Sequence, residues 1–183
     1  YIVYPLIEGS EKKDHKDLMD GFESLKRYFP NEQIGILHGR MKSENKDYEM
    51  KRFSNGTTKI LVSTTVIEVG VDVPNASVII IESAERFGLS QLHQLRGRVG
   101  RGDRQSYCIL MTKYDISSES KERIKAMVSS SDGFKIANMD LKLRGPGNMM
   151  GTKQSGLLEL RFVNLAEDYK LIKKTREVAL NLI

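Results

Sequence analysis

The chain is predicted to have an α/β fold, a parallel sheet covered by helices, on the strength of three observations. Five short apolar runs recur at strand length: Tyr1 to Leu6, Ile34 to Leu37, Lys59 to Val62, Ser77 to Ile81 and Tyr107 to Leu110. Several of them are continuously apolar, as strands buried on both faces are. Longer amphipathic stretches separate them, and strands alternating with helices predict a parallel sheet with helices on both faces.

The opening run begins in what reads as the middle of a buried strand, with neither methionine nor a polar leader, so the sequence is expected to be part of a longer chain. The spacing of apolar positions predicts helices over His15 to Phe29, Ser43 to Phe53 and Leu89 to Arg98. After about Lys113 the alternation stops, which places a boundary near residue 116 between a lobe of 1–115 and a tail of 116–183. In the tail, Ser117 to Ser130 reads as a helix flanked by serines. A second helix runs from Asp132, a suitable N-cap, to Leu143 and is stopped by Gly145-Pro146-Gly147. Two helices joined by a tight turn make an αα-hairpin. A glycine-rich loop then passes Gly151 and Gly156 to a final helix from about Ala166, where Leu171, Ile172, Val178 and Leu182 form an apolar stripe.

At 183 residues and 39% hydrophobic, the chain has enough material for one core and an appendage. No apolar stretch approaches the roughly 20 residues that cross a bilayer, and no signal-peptide pattern is present, so a cytoplasmic protein without a membrane partner is expected. The single cysteine, Cys108, lies inside an apolar run and reads as a core residue. It excludes a disulfide framework or a clustered cysteine metal site. Net charge is +5; residues 1–115 hold 17 Lys/Arg against 16 Asp/Glu and residues 116–183 hold 12 against 8, so the tail carries +4. That excess permits a nucleic-acid partner without requiring one.

In open parallel sheets ligands bind beyond the carboxyl ends of the strands, so chemistry is expected just after each apolar run. The strongest pattern is Gln94-Leu95-Arg96-Gly97-Arg98-Val99-Gly100-Arg101. On a continuous helix Arg98 and Arg101 share a face. Guanidinium groups match phosphate oxygens and stay charged at any working pH. Gly97 and Gly100 would let another surface approach closely, at a cost of roughly 1 kcal/mol each to a helix. The plain alternative is an exposed basic helix end.

That pattern resembles motif VI of superfamily 2 helicases, QxxGRxxR. Thr64-Thr65-Val66-Ile67-Glu68-Val69-Gly70-Val71-Asp72 resembles their motif V, Val3 to Glu8 resembles motif IV, and His38-Gly39-Arg40-Met41 falls where they have a nucleic-acid-contacting loop. The motifs stand in the order of that family, and the resemblance implies a RecA-like lobe of the P-loop NTPase fold, the second of two motor lobes. It further implies that Arg98 and Arg101 act as arginine fingers on the γ-phosphate and that Gln94 positions the triphosphate or its attacking water. Asp72 would bind near the ribose with Gly70 close by, while His38, Thr64 and Thr65 would touch nucleic acid. By itself, Asp72 reads as a turn residue before Pro74, the threonines as helix caps, and His38 as a loop or core histidine. The sequence contains no GxxxxGK[ST] phosphate loop and no acidic magnesium-holding motif, so ATP and Mg2+ would be bound mainly by an upstream lobe.

The tail extends the resemblance. The run from Asp140 to Gly156, with Arg144-Gly145-Pro146-Gly147 and Gly151-Thr152-Lys153-Gln154-Ser155-Gly156, is similar to the translocation element shared by the RecG family and the transcription-repair coupling factor. The spelling is closer to the RecG family, although Asn148-Met149-Met150 departs from its commonest form. Such a resemblance implies an ATP-dependent double-stranded DNA translocase that remodels stalled replication forks and recombination junctions. Arg144, Lys153 and Gln154 would couple hydrolysis to movement, and the upstream motor lobe and a wedge domain would be intramolecular partners. A coupling-factor lobe, or a noncatalytic DNA-binding module that keeps the fold, stays open as an alternative. Gln94, Arg98 and Arg101 favour a motor, because a pure binding module has no use for phosphate-directed arginines.

Overall fold

The computed structural model describes residues 1–6, 11–64, 73, 75–102, 105–144, 174, 175, 178 and 179. Along them run β1 (Ile2–Tyr4), α1 (Glu11–Tyr28), β2 (Ile34–Leu37), α2 (Ser43–Ser54), β3 (Ile60–Thr64) and β4 (Val78–Ile81). A single 3-10 turn (Ala84–Arg86) leads to α3 (Leu89–Arg96), β5 (Tyr107–Leu110), α4 (Ser118–Ser129) and α5 (Gly133–Arg144). The strands form one sheet in the order β2-β3-β1-β4-β5, every neighbouring pair parallel. The predicted α/β class and αα-hairpin are therefore present.

The sheet divides the core. On one face α2 and α3 bury Met50, Phe53, Leu89, Leu92 and Leu95 against Val3, Leu61, Ile79 and Ile81. On the other, α1 buries Leu18 and Phe22 against Val62. Leu61 and Val62 of β3 are thus buried toward opposite faces, which is why that strand reads as continuously apolar. At the sheet edge, β5 leaves Tyr107 and Ile109 exposed while Cys108 and Leu110 pack on the main core. Cys108 is accordingly half-buried rather than a full core residue, because an edge strand has a neighbour on one side only. Its burial still pushes the thiol pKa up.

The tail hairpin is not hung loosely on the lobe. Ala126 and Met127 of α4 and Ile136 of α5 belong to the same buried cluster as the sheet and α3, and Leu143 packs against it. Ser117 caps α4 by accepting the Ser120 N–H at 3.2 Å, and Asp132 caps α5 by accepting the Phe134 N–H at 2.9 Å. Farther on, Lys174, Thr175, Val178 and Ala179 are helical, and Val178 is 51% exposed. Leu171, Ile172 and Leu182 lie outside the described residues.

Candidate functional site

The arginine-bearing segment differs from the continuous helix expected of it. The α-helix α3 stops at Arg96, with Gly97 as C-cap donating its N–H to the His93 and Leu95 carbonyls. A tightened turn carries on, the Arg98 N–H donating to the Leu95 carbonyl at 3.0 Å and the Val99 N–H to that of Arg96 at 3.3 Å. Val99 is buried and anchors the turn. Gly100 then takes φ +83°, a conformation that disfavours any side chain, and a Cβ there would stand 2.6 Å from the Ser106 Oγ. The two glycines therefore end a helix and turn the chain. Arg98 and Arg101 flank that turn instead of sharing a helix face. Gln94 is exposed on α3, Arg98 is partly buried and its guanidinium has no hydrogen bond or ion pair among the described residues, and the exposed Arg101 donates its Nε–H to the Gly97 carbonyl at 3.1 Å.

Topology also moves these arginines to an edge the carboxyl-end rule did not point to. Because all strands are parallel, each strand ends at one edge of the sheet, and the return from each helix into the next strand lies at the other. The segment from Gly97 into β5 is such a return, so Arg98 and Arg101 sit at the amino edge. His38, the first residue after β2, and Thr64, the last of β3, sit at the carboxyl edge. Thr64 is 2% exposed and its hydroxyl has no hydrogen-bond partner among the described residues. The His38 ring lies edge-on to that of His15 in α1, with centroids 4.9 Å apart.

A polar joint that sequence reasoning missed connects the arginine segment to the hairpin. Arg96 donates through Nη1 to the carbonyls of Met127 at 2.9 Å and Ser130 at 2.7 Å, capping the C-terminus of α4 with a positive charge. Its Nη2 lies 3.0 Å from the His93 Nδ1. A guanidinium can only donate, so Nδ1 is the acceptor and the His93 proton resides on Nε2. That Nε2 faces Gly133, the first residue of α5, where an added Cβ would approach it to 3.0 Å. From the middle of α4, Arg123 donates to the Glu85 carbonyl at 3.1 Å, tying the helix to the turn after β4. The only sequence signal was that Arg96 falls inside the arginine motif and His93 immediately precedes it.

Of the remaining candidates, Arg144 is the last residue of α5. Thr65, Gly70, Asp72, Lys153 and Gln154 lie outside the described residues. No group of metal-ligating side chains occurs among the described residues, and no described helix is long and apolar enough to cross a membrane.

Residues 7–103 match the helicase conserved C-terminal domain, and residues 130–183 match the C-terminal part of domain 3 of the ATP-dependent DNA helicase RecG. The chain belongs to the helicase C-terminal domain family. It is 55% identical over 180 residues to the ATP-dependent DNA helicase RecG of Synechocystis sp., covering 98% of this chain and 22% of that protein. The RecG of Bacillus subtilis is 49% identical over 185 residues, covering 100% of this chain and 27% of that protein. The chain thus spans about a quarter of the length of the curated relatives it matches. Among solved structures, RecG bound to a three-way DNA junction matches with TM-score 0.66 and 51% identity, over 80% of this chain and 18% of that one. At 20% identity, S. cerevisiae Dbp5 bound to RNA and ADP BeF3 matches with TM-score 0.51 over 70% of this chain and 31% of that one, a likeness of fold alone. The RecA-like helicase lobe and the similarity to RecG implied by the sequence both hold.

Proposed function

We propose that this chain is the second motor lobe, residues 1–115, and the translocation hairpin, residues 116–183, of a cytoplasmic, ATP-dependent double-stranded DNA translocase that remodels branched DNA. Membership of a helicase family implies ATP use. In this reading an upstream lobe holds ATP and Mg2+, and Arg98 and Arg101 are presented to the γ-phosphate across a cleft, where fixed positive charge stabilises the transferring group. Gln94, one turn before Arg98, positions the triphosphate or its water, with Gly70 and Asp72 near the ribose. His38, Thr64 and Thr65 contact DNA, the first two from the opposite edge, and a wedge domain elsewhere in the protein splits the fork.

The observation that carries this reading is the joint at Arg96. It lies two residues from Arg98 and grips the turn of the α4–α5 hairpin, so the hairpin must follow any displacement of the arginine segment. The 12 residues of α5 then span about 18 Å away from that turn, with Arg144 at the far end.

The test is Arg98→Ala and Arg101→Ala in the full-length protein. ATP hydrolysis should fall roughly 10³-fold while duplex binding survives. Normal hydrolysis with lost DNA affinity would assign the arginines to DNA and refute the motor reading of this segment.

A further inference from the structure

The phosphate chemistry gives no part to His93, yet its ring stands between the arginine segment and the hairpin. His93 lies on α3 three residues before Arg96, so the two side chains share a face of the helix. Its Nδ1, 3.0 Å from the Arg96 Nη2, accepts from it. With Nη2 held there, Nη1 of the same planar fork meets the Met127 and Ser130 carbonyls at 2.9 and 2.7 Å. The other side of the ring meets the start of α5. A Cβ built on Gly133 would find three His93 atoms nearest to it, Nε2 at 3.0 Å, Cε1 at 3.7 Å and Cδ2 at 3.9 Å. Gly133 is not among the glycines at positive φ, so its backbone does not call for glycine. By helix propensity, alanine would serve at least as well at this first residue of α5. What the missing side chain makes room for is the His93 ring.

We propose that His93 is a positioning residue of the motor: its Nδ1 sets the Arg96 guanidinium in the orientation that caps α4, and its ring seats the start of α5 at Gly133. The proposal rests on the motor reading above and deepens it by naming the residue that orients the joint. An arginine ordered on two carbonyls gives up the freedom of a long side chain, and an acceptor that fixes its plane beforehand removes part of that cost. A filler of similar size would still pack against Gly133 but would offer Arg96 no acceptor. The role therefore belongs to the nitrogen at the δ position and not to the bulk of the ring.

The experiment uses the full-length protein and reads hydrogen exchange of α4 and α5, together with fork unwinding per ATP hydrolysed. His93→Leu keeps bulk and removes the acceptor; exchange through undocking should quicken roughly 10- to 100-fold, the loss expected for one hydrogen bond to a charged group, and unwinding should fall more than ATP turnover. His93→Asn carries an acceptor oxygen where Nδ1 stood and should restore both readouts to near wild type. In an Arg96→Met background, His93→Leu should add little, because its partner is already gone. Gly133→Ala is the second arm if His93→Leu fails to fold. It should loosen the hairpin in the wild type, where it presses on the ring, and leave it tight beside His93→Asn, which has no atom at the Nε2 position. Equal defects in His93→Leu and His93→Asn, wild-type behaviour of both, full additivity with Arg96→Met, or an effect of Gly133→Ala that ignores residue 93 each overturn the proposal. The exchange arm tests the contact whatever Arg98 and Arg101 do; failure of the motor reading shows instead as normal ATP hydrolysis in Arg98→Ala and Arg101→Ala.

Discussion

Replacing Arg96 with methionine keeps most of the side chain's apolar length and removes its three polar contacts. Two of these are charge-assisted hydrogen bonds to carbonyls at the end of α4, at 2.9 and 2.7 Å, and the site is half-buried. Hydrogen bonds to a charged group contribute about 1.5 to 3 kcal/mol each, and partial access of water to the freed carbonyls discounts that sum. A loss of about 2 to 4 kcal/mol in the docking of the hairpin on α3 is expected. Each 1.4 kcal/mol is a factor of ten, so amide hydrogens of α4 and α5 that exchange through undocking should exchange roughly 30- to 1000-fold faster. Hydrogen exchange read by mass spectrometry on the full-length protein resolves this, with peptides from α1, β2 and β3 as the internal control. Fork unwinding should fall more than ATP turnover, since Arg98 and Arg101 remain. Unchanged exchange in α4 and α5, or equal acceleration in the α1 peptides, would refute the idea that Arg96 holds the hairpin to the arginine segment.

Gly100→Ala forces a side chain into positive φ and against the Ser106 Oγ, so stability should drop by about 1 to 3 kcal/mol and ATP turnover should fall with it, as chemical denaturation and a coupled ATPase assay would report. A variant as stable and active as wild type would show that the turn relaxes freely. Arg144→Ala or Gln154→Ala in the full-length protein should impair fork unwinding more than ATP turnover; equal falls in both rates would recast this region as a structural brace. The purified chain of 183 residues should show no DNA-stimulated ATPase activity, since it has no phosphate loop, and turnover above that of an Arg101→Ala control would contradict this.

The sequence by itself determined the class and order of elements, because apolar period and length are local properties. Five apolar runs became five strands, the stretches between them became α1, α2 and α3, and Ser117 and Asp132 cap helices where their side chains predict it. It also offered Gln94, Arg98 and Arg101 as candidates for phosphate chemistry, since they form one short pattern. Tertiary structure decided the rest. Gly97 alone does not say whether a helix continues, and the end at Arg96 depends on the left-handed turn at Gly100 packing against Ser106. The edge on which Arg98 and Arg101 lie follows from β5 pairing parallel to β4, a long-range fact that a rule about carboxyl ends could not supply. Arg96 reads as a motif spacer because its partners stand 31 and 34 residues away, and His15 meets His38 only because α1 is laid across β2 by the sheet order. Contacts of this kind depend on how elements are placed relative to one another, and that placement is set by the burial of the whole core rather than by the residues that happen to meet.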